Sequence, residues 1–299
     1  MEGVTVAPHV AEALALGRPV VALESALITH GMPAPVNLDV ARQMEAVVEA
    51  EGAVPATVAV VDGQARVGLA PAEIEALADH ATPFKVSLRD LPAALAQGRT
   101  GGTTVAATMA LAHRAGVAVF ATGGIGGVHR GHPEDVSADL MALSTTPMTV
   151  VCAGAKAILD LPRTLEALET LGVPVVGYGT DTLPAFTSRS SGLPVPLRAD
   201  TPAEVAAMMR ARAALDLCCA ILVCVPIPEE AALPWEDVEG EIAAVVAEAE
   251  AGGIAGRDVT PFLLARLSEQ TAGRSRDANV ALLLHNACMA ARIACSYAQ

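Results

Sequence analysis

The chain has 299 residues, of which 53% are hydrophobic and 17% are charged, and its formal net charge is −14 at pH 7. This length gives one large α/β domain ample interior to bury, so we predict a single domain over residues 1–299. The composition excludes an intrinsically disordered chain, and no uninterrupted apolar run reaches the ~18 residues that a membrane span needs. The acidic charge argues against binding a nucleic-acid polymer, because each phosphate contact needs a local cation.

The amino terminus and the cysteines indicate a cytoplasmic protein. Pro8 and Glu12 stand where a signal peptide needs a basic flank and then an apolar core. The six cysteines lie mostly in apolar runs, with no Cys-x-x-Cys pair and no histidine at zinc spacing. We therefore expect buried thiols in a reducing compartment rather than disulfides or a zinc site.

The first quarter of the chain predicts a buried strand, a helix and a hairpin. The strand covers residues 20–23 and ends at Glu24, and Asn37 is predicted to cap the helix that follows. Residues 57–69 predict a hairpin that turns at Asp62-Gly63, a dipeptide that tolerates the positive φ angles of a tight turn. Part of the sheet should therefore be antiparallel.

Strand-like and helix-like segments then alternate along the chain. Further strands are predicted at 84–88, 117–121, 148–152, 173–177 and 220–225, with helices after 101–102, after Asp135, from Lys156 and from Pro202, and from about 235 to 298. This alternation predicts crossover units and a layered α/β/α fold, with a largely parallel mixed sheet and an additional antiparallel hairpin. In such sheets, ligands bind at the carboxyl ends of the strands.

A glutamate and a lysine near predicted strand ends are candidate catalytic residues. Glu24 closes an apolar strand, where a partly desolvated carboxyl has a raised pKa and can exchange protons near neutral pH; the alternative is a glutamate that caps the next turn. Of the 19 basic residues only Lys85 and Lys156 are lysines, and a lysine in small, apolar surroundings such as those before Lys156 can act as a neutral amine nucleophile. The alternative is that both lysines are ordinary solvated side chains.

Two glycine-rich segments are candidates for ligand binding, and the second of them follows a predicted strand. Residues 101–105, Gly-Gly-Thr-Thr-Val, predict a glycine turn that leads into a helix amino terminus, which favours an anion such as phosphate; the alternative is a glycine-capped helix that binds nothing. Residues 122–130, Thr-Gly-Gly-Ile-Gly-Gly-Val-His-Arg, lack the third glycine of the dinucleotide fingerprint and the Walker lysine, which excludes both motifs. The glycines of this second segment indicate either a sharp turn or the close approach of a ligand.

Two further groups of polar residues are candidates for binding. Asp135, Ser137 and Asp139 carry oxygen atoms at alternating positions, which suits a hard divalent cation that keeps most of its waters; alternatively, Asp135 is a helix cap and Asp139 a solvated acid. Asn279 and Asn286 lie on one face of the last helix, where an amide suits a nucleobase edge, although an ordinary exposed face has the same pattern.

Six segments of the chain match one family pattern in the same order: ALESALITHGMP (22–33), GGTTVAAT (101–108), TGGIGGVHRG (122–131), DVSADL (135–140), CAGAK (152–156) and YGTDTLPAF (178–186). Through these segments the chain resembles the pseudouridine-5′-phosphate glycosidase family from about residue 7 to 297. Residues 84–90 depart from the family pattern but leave Lys85 in register.

The resemblance implies reversible cleavage of the C–C glycosidic bond of pseudouridine 5′-phosphate to uracil and ribose 5-phosphate through a lysine Schiff base at C1′. It implies that Lys156 is the nucleophile, that Glu24 donates and accepts the protons, and that Asp135 holds a manganese ion (Mn2+) largely through waters. It also implies a homotrimer that acts on a small-molecule nucleotide, away from membranes. The implied substrate-binding residues are Lys85 for the phosphate, Asn279 for the uracil ring, and Val105, His129, Ser137, Ala138 and Asp139.

Two other functions are also compatible with the sequence. One is a sugar-phosphate aldolase or isomerase that uses Lys156 as its Schiff base without a nucleobase. The other is a non-enzymatic nucleotide-sensing module built on the two glycine-rich segments. Release of uracil from pseudouridine 5′-phosphate is expected of the glycosidase alone.

Overall fold

The computed structural model describes residues 3–254, 259–271 and 273–299. Regular structure in these residues is numbered in chain order. The strands are β1 (Thr5–Val6), β2 (Val20–Glu24), β3 (Val54–Val61), β4 (Gln64–Val67), β5 (Phe84–Val86), β6 (Gly101–Thr103), β7 (Val119–Ala121), β8 (Val128–His129), β9 (His132–Val136), β10 (Thr149–Cys152), β11 (Val175–Tyr178), β12 (Leu197–Ala199) and β13 (Ile221–Cys224). The helices are α1 (Pro8–Ala15), α2 (Val36–Ala50), α3 (Pro71–Ala78), α4 (Leu91–Ala96), α5 (Val105–Ala115), α6 (Ala138–Thr145), α7 (Leu161–Thr170), α8 (Pro202–Ala214), α9 (Trp235–Ala251), α10 (Val259–Gln270) and α11 (Arg274–Ala298).

One sheet contains 11 strands, and most of its neighbouring strands run parallel. Its main order is β1-β4-β3-β2-β7-β10-β13-β11-β12, with β6 pairing beside β3 and β5 beside β6. Every neighbouring pair from β3 to β12 along this order is parallel. Strand β3 turns into the antiparallel β4 through Asp62 (φ 49°) and Gly63 (φ 71°), which confirms the predicted hairpin. A separate antiparallel pair, β8-β9, is an element that the sequence pattern does not reveal.

Helices cover both faces of this sheet. Helix α11 packs along β2, β7 and β10, with α2 and α8 beside it. Helix α5 packs on β2, β3 and β4 and against α6, which also contacts α7. The central strands β7, β10 and β13 are buried along their whole length, as strands between two helical layers are. The structure therefore confirms the predicted α/β/α layers.

By length and composition, helix α11 could cross a membrane. In the fold it lies along the centre of the sheet instead, where Leu282, Asn286, Ala290 and Ile293 are fully buried. Such packing identifies α11 as a core helix of a globular fold.

The role predicted for Asn37 is wrong. Helix α2 begins at Val36, so Asn37 lies inside its first turn rather than at its cap. The side-chain amide is buried and donates to the carbonyls of Ile28 (2.9 Å) and Ala78 (3.3 Å). Asn37 therefore joins the turn after β2 to the end of α3.

Two further local predictions need correction. The helix expected from Lys156 begins at Leu161, because Asp160 caps it by accepting a hydrogen bond from the amide of Arg163 (3.1 Å). The cysteines are less uniformly buried than expected: Cys152 and Cys224 are fully buried neighbours on β10 and β13, whereas Cys218 is exposed and the other three are half-buried. All six are thiols outside any disulfide.

Candidate active site

Three neighbouring parallel strands end side by side at one edge of the sheet. Glu24 is the last residue of β2, Cys152 is the last residue of β10, and Thr122 follows β7 between them. The pairing registers of β2-β7 and β7-β10 place these three positions at one level. Lys156 follows Cys152 after a short turn. The carboxyl ends of the strands thus bring Glu24 and Lys156 to a common site.

A cleft crosses this edge of the sheet as three adjoining chambers. The first chamber, of about 330 Å³, and the narrow middle chamber, of about 70 Å³, share Glu24, Lys85 and Lys156 in their walls. The third chamber, of about 490 Å³, shares Phe186 and Asn279 with the middle one. All ten residues predicted for the site line this cleft: Glu24, Lys85, Val105, His129, Asp135, Ser137, Ala138, Asp139 and Lys156 in the first chamber, and Asn279 in the other two.

Glu24 lies where the first and middle chambers meet. Burial raises the pKa of its carboxyl, while the positive charges of Lys156 and Lys85 and a hydrogen bond from Thr122 oppose that rise. The hydroxyl of Thr122 donates to Oε1 of Glu24. A carboxyl with a raised pKa holds and releases a proton closer to neutral pH than an ordinary glutamate does, as the sequence analysis expects.

The backbone around Lys156 is held by the loop after β7. The amide of Lys156 donates to the carbonyl of Ile125 (3.0 Å), and the amide of Ile125 donates to the carbonyl of Gly154 (3.1 Å). Gly154 adopts a φ of 84°, which lets the chain turn between β10 and Lys156. These contacts fix a half-buried lysine at the junction of two chambers, within the electrostatic reach of Glu24.

Lys85 reaches the same junction from a different part of the sheet. It lies on β5, opposite Gly102 of β6, and β6 in turn pairs with β3. The turn predicted at Gly101-Gly102 is therefore wrong, because both glycines lie inside a strand. Side chains cannot replace them there, since a Cβ on Gly102 would collide with Ser25 and Thr29. The result is that Lys85 adds a second cation beside Glu24.

The amino terminus of α5 already binds a carboxylate of the protein. Asp139 is buried, with 6% of its surface exposed. Its Oδ1 accepts from the amide of Ala106 in the first turn of α5 (3.0 Å), and its Oδ2 accepts from the amide of Gly126 (2.8 Å). An anion at a helix amino terminus is favourable, and here Asp139 is one such anion. This carboxylate links α5 to the glycine-rich loop.

Packing within the protein explains the glycine-rich loop. A Cβ on Gly126 would collide with Ser137, and a Cβ on Gly127 would collide with Thr164. A Cβ on Gly124 would lie 2.8 Å from the ring of Phe186. Side chains of the protein itself therefore require glycine at these three positions.

The segment 135–139 does not gather three oxygen ligands around one point. Oγ of Ser137 caps α6 by accepting from the amide of Asp139 (3.2 Å), and both oxygens of Asp139 bind backbone amides. Asp135 is half-buried and lines the first chamber. Within the described ranges, no group of three or more His, Cys, Asp or Glu is placed to hold a metal ion directly. The donor set fits a hydrated divalent ion that Asp135 holds through waters, but not an ion bound by three side chains.

His129 follows the glycine-rich loop on β8 and faces the first chamber. Burial lowers its pKa, Asp135 opposes this shift, and Lys156 and His132 reinforce it. The net lowering of its pKa favours the neutral imidazole. In this form it can donate one hydrogen bond to an anion in the first chamber.

The two asparagines of α11 have different surroundings. Asn279 lines the middle and third chambers. Asn286 is fully buried, and its Nδ2 donates to the carbonyls of Thr122 (2.9 Å) and Gly123 (3.3 Å). The interpretation that both amides face a ligand is therefore wrong for Asn286, because the loop after β7 covers it.

The middle and third chambers also contain two residues that the sequence analysis does not single out. His30 belongs to the π-helical turn Leu27–Gly31, and its Nδ1 lies 2.6 Å from Oγ1 of Thr29. Phe186 has a φ of 61°, which is unusual for a residue other than glycine, and its amide donates to the carbonyl of Ala153 (3.0 Å). A histidine just after a strand is a signal that the sequence contains. The position of Phe186 depends on the fold alone.

Comparison with known families agrees with this architecture. The model of the family described as indigoidine synthase A like protein matches residues 9–296. Two solved structures are similar to the chain over nearly its whole length. The prealnumycin C-glycosynthase AlnA in complex with ribulose 5-phosphate is 41% identical with a TM-score of 0.92, covering 100% of this chain and 98% of that one. An indigoidine synthase A-like protein from Thermotoga maritima is 36% identical with a TM-score of 0.89, covering 95% and 94%.

Curated relatives give the family its more specific name. A protein from Methylobacterium nodulans is 59% identical over 96% of this chain and 86% of its own length. A protein from Paracoccus denitrificans is 58% identical over 99% of this chain and 98% of its own length. Both are named pseudouridine-5′-phosphate glycosidase. The chain therefore belongs to the pseudouridine-5′-phosphate glycosidase family, among the indigoidine synthase A-like proteins.

Proposed function

We propose that this protein cleaves, and in reverse makes, the C–C glycosidic bond of pseudouridine 5′-phosphate, with water, uracil and ribose 5-phosphate as the other reactants. The observation that carries the proposal is the position of Glu24 and Lys156 at the middle chamber, between a chamber that contains Lys85 and one that contains Asn279. The names of the relatives support this reaction, and the ribulose 5-phosphate complex of AlnA supports a sugar-phosphate ligand.

The cleft suggests how such a substrate lies. The phosphate occupies the first chamber, where Lys85 supplies a positive charge and His129 a hydrogen-bond donor. The uracil ring points past the middle chamber toward Asn279, whose amide can both donate and accept at the ring edge. C1′ then lies at the junction, beside Glu24 and Lys156.

A carbon leaving group has no lone pair to protonate, so ordinary glycosidase chemistry does not apply directly. In the proposed reaction, the neutral amine of Lys156 attacks C1′, the C1′–O4′ bond breaks, and O4′ receives a proton. The nitrogen lone pair then forms an iminium with C1′ while the electrons of the C–C bond move to C5 of uracil. Glu24 delivers the proton that C5 takes up.

Hydrolysis completes the cycle. Water adds to the iminium at C1′, Glu24 accepts a proton, and the C–N bond breaks to release ribose 5-phosphate and the amine of Lys156. The water and the nucleotide together account for all atoms of uracil and ribose 5-phosphate. The raised pKa of Glu24 suits a group that must alternately hold and release a proton.

We also propose a manganese ion near Asp135 and a homotrimeric assembly, both of which the family resemblance implies, and a cytoplasmic location, which the amino terminus and the cysteines favour. Asp135 would hold the ion through waters, since the neighbouring Asp139 is engaged by backbone amides. When bound, the ion would supply positive charge that stabilises negative charge on the substrate. Sedimentation of the purified protein tests the trimer.

The experiment that tests the function combines product analysis with imine trapping. Incubation with pseudouridine 5′-phosphate should release uracil and ribose 5-phosphate in equal amounts. Borohydride added with ribose 5-phosphate should leave a sugar-phosphate adduct on Lys156, located by peptide mass spectrometry.

Lysine variants supply the controls. Lys156→Arg should lose both trapping and turnover, because a guanidinium cannot become a free amine. The matched variant Lys85→Arg should keep trapping on Lys156. An adduct on Lys85, or an active Lys156→Arg enzyme, contradicts the proposed roles. Turnover of another sugar phosphate without uracil release would favour an aldolase or isomerase.

A further inference from the structure

Thr122 occupies the central position between the two proposed catalytic residues. It follows β7, the strand that separates β2, which ends at Glu24, from β10, which leads to Lys156. The residue is fully buried, and its amide donates to the carbonyl of Val151 on β10 (3.0 Å). The backbone of Thr122 is therefore hydrogen-bonded to β10, which leads to Lys156, and its side chain is hydrogen-bonded to Glu24 at the end of β2.

The hydroxyl of Thr122 meets Glu24 directly. It donates to Oε1, which leaves Oε2 as the oxygen available for exchanging protons with a substrate. A hydrogen bond from a hydroxyl favours the ionised carboxylate, so this contact lowers the pKa that burial raises. The charged groups that act on Glu24 are Lys156 and Lys85, which also lower its pKa, and Asp139, which raises it.

A buried amide behind Thr122 holds its backbone. Nδ2 of Asn286 donates to the carbonyls of Thr122 (2.9 Å) and Gly123 (3.3 Å), while Oδ1 of Asn286 has no hydrogen-bond partner among the described residues. Burying Oδ1 without a hydrogen bond costs free energy, and the two hydrogen bonds that Nδ2 donates offset this cost. Asn286 thus connects the core helix α11 through Thr122 to Glu24.

We propose that Thr122 is a positioning residue of the reaction: its hydroxyl holds one oxygen of Glu24 so that the other faces the bond between C1′ and the uracil ring, and Asn286 fixes Thr122. This inference rests on the proposed function. It adds to that function a residue that touches neither substrate nor reacting atoms. Removing the hydroxyl should impair proton transfer by Glu24 while leaving the binding of the sugar phosphate and the final yield of the trapped imine unchanged.

The test compares Thr122→Val, which replaces the hydroxyl by a methyl group, with Thr122→Ser, which keeps it. For the valine variant we expect kcat for uracil release to fall about tenfold or more, with KM within about threefold, since oriented acid–base groups contribute 10²–10⁴-fold. Because Glu24 must hold a proton to release uracil, the alkaline limb of the variant's kcat–pH profile should move to higher pH by about one to two units. The serine variant should restore both the rate and the profile.

Two controls separate this role from a purely structural one. Thr149→Val removes another fully buried hydroxyl, which lies at the opposite end of β10 and has no hydrogen-bond partner in the described part of the chain. This change should leave kcat and the pH profile unchanged. The final yield of the borohydride-trapped adduct on Lys156 should be the same in Thr122→Val as in the natural chain. Thr122→Ala removes the hydroxyl without adding bulk and gives the same comparison if the valine variant does not fold.

The outcomes are distinct. An unchanged pH profile in an active Thr122→Val or Thr122→Ala enzyme overturns the positioning role and leaves the proposed function intact. The same follows if serine fails to rescue the rate. A natural chain that releases no uracil overturns the proposed function, and the role of Thr122 with it.

Discussion

Replacing Asp139 by asparagine tests whether this residue is part of the structure or a contact of the substrate. Its two oxygens accept hydrogen bonds from the amides of Ala106 (3.0 Å) and Gly126 (2.8 Å), and 6% of the residue is exposed. Asparagine keeps one acceptor oxygen but turns an NH₂ donor toward the second amide. One charge-assisted hydrogen bond is lost, and one buried N–H group is left without a partner.

The expected loss follows from these two contacts. A hydrogen bond to a charged group contributes about 1.5–3 kcal/mol, and an unpaired buried polar group costs about 1–3 kcal/mol. Since the two terms overlap, we expect Asp139→Asn to lower the free energy of unfolding by about 2–4 kcal/mol. Asp135→Asn is the matched control, because Asp135 is half-buried and lies on the same segment. Its effect should stay within about 0.5 kcal/mol.

Urea unfolding at pH 7, followed by circular dichroism, measures both variants against the natural chain. The midpoint should fall for Asp139→Asn with little change in the slope, because the surface exposed on unfolding stays the same. A midpoint equal to that of Asp135→Asn would refute the structural role. A large rise in KM with unchanged stability would instead assign Asp139 to direct contact with the substrate.

Three further predictions concern the charged groups of the cleft. Because burial raises the pKa of Glu24 in the folded state, its ionisation destabilises the fold as pH rises through the window above the ordinary carboxyl pKa. Glu24→Gln should therefore melt at a higher temperature than the natural chain at pH 7 and at the same temperature at acidic pH. The variant should lose uracil release, while its affinity for ribose 5-phosphate should stay within about tenfold of that of the natural chain. An equal loss of binding would contradict the proton-transfer role of Glu24. Lys85→Ala should raise KM more than Lys85→Arg, since arginine still pairs with phosphate; equal KM values would remove Lys85 from the phosphate site. Exhaustive chelation should abolish turnover and manganese should restore it; full activity of metal-free protein would exclude the proposed ion.

Much of the fold follows from local patterns. Apolar runs of four or five residues alternate with longer periodic segments, and this rhythm predicts parallel strands covered by helices. Asp62-Gly63 predicts the hairpin because the turn needs two positive φ angles, and both are observed. Glu24 and Lys156 stand out because each is an ionisable residue near the carboxyl end of a buried strand. Since parallel strands end at one edge of the sheet, their meeting could be predicted without coordinates.

What the tertiary structure alone decided is which partner each polar group has. Thr122 and Glu24 are 98 positions apart, and Asn286 and Thr122 are 164 positions apart, so no local pattern records that they touch. Asn279 and Asn286 look alike on a helical face, yet only the loop after β7 determines that one faces the cleft and the other is buried. A hydrogen bond depends on geometry within a few tenths of an ångström, and strand order sets that geometry. Residue type and spacing therefore determine where the ionisable groups lie along the chain, whereas the packing of distant segments determines their partners and their protonation.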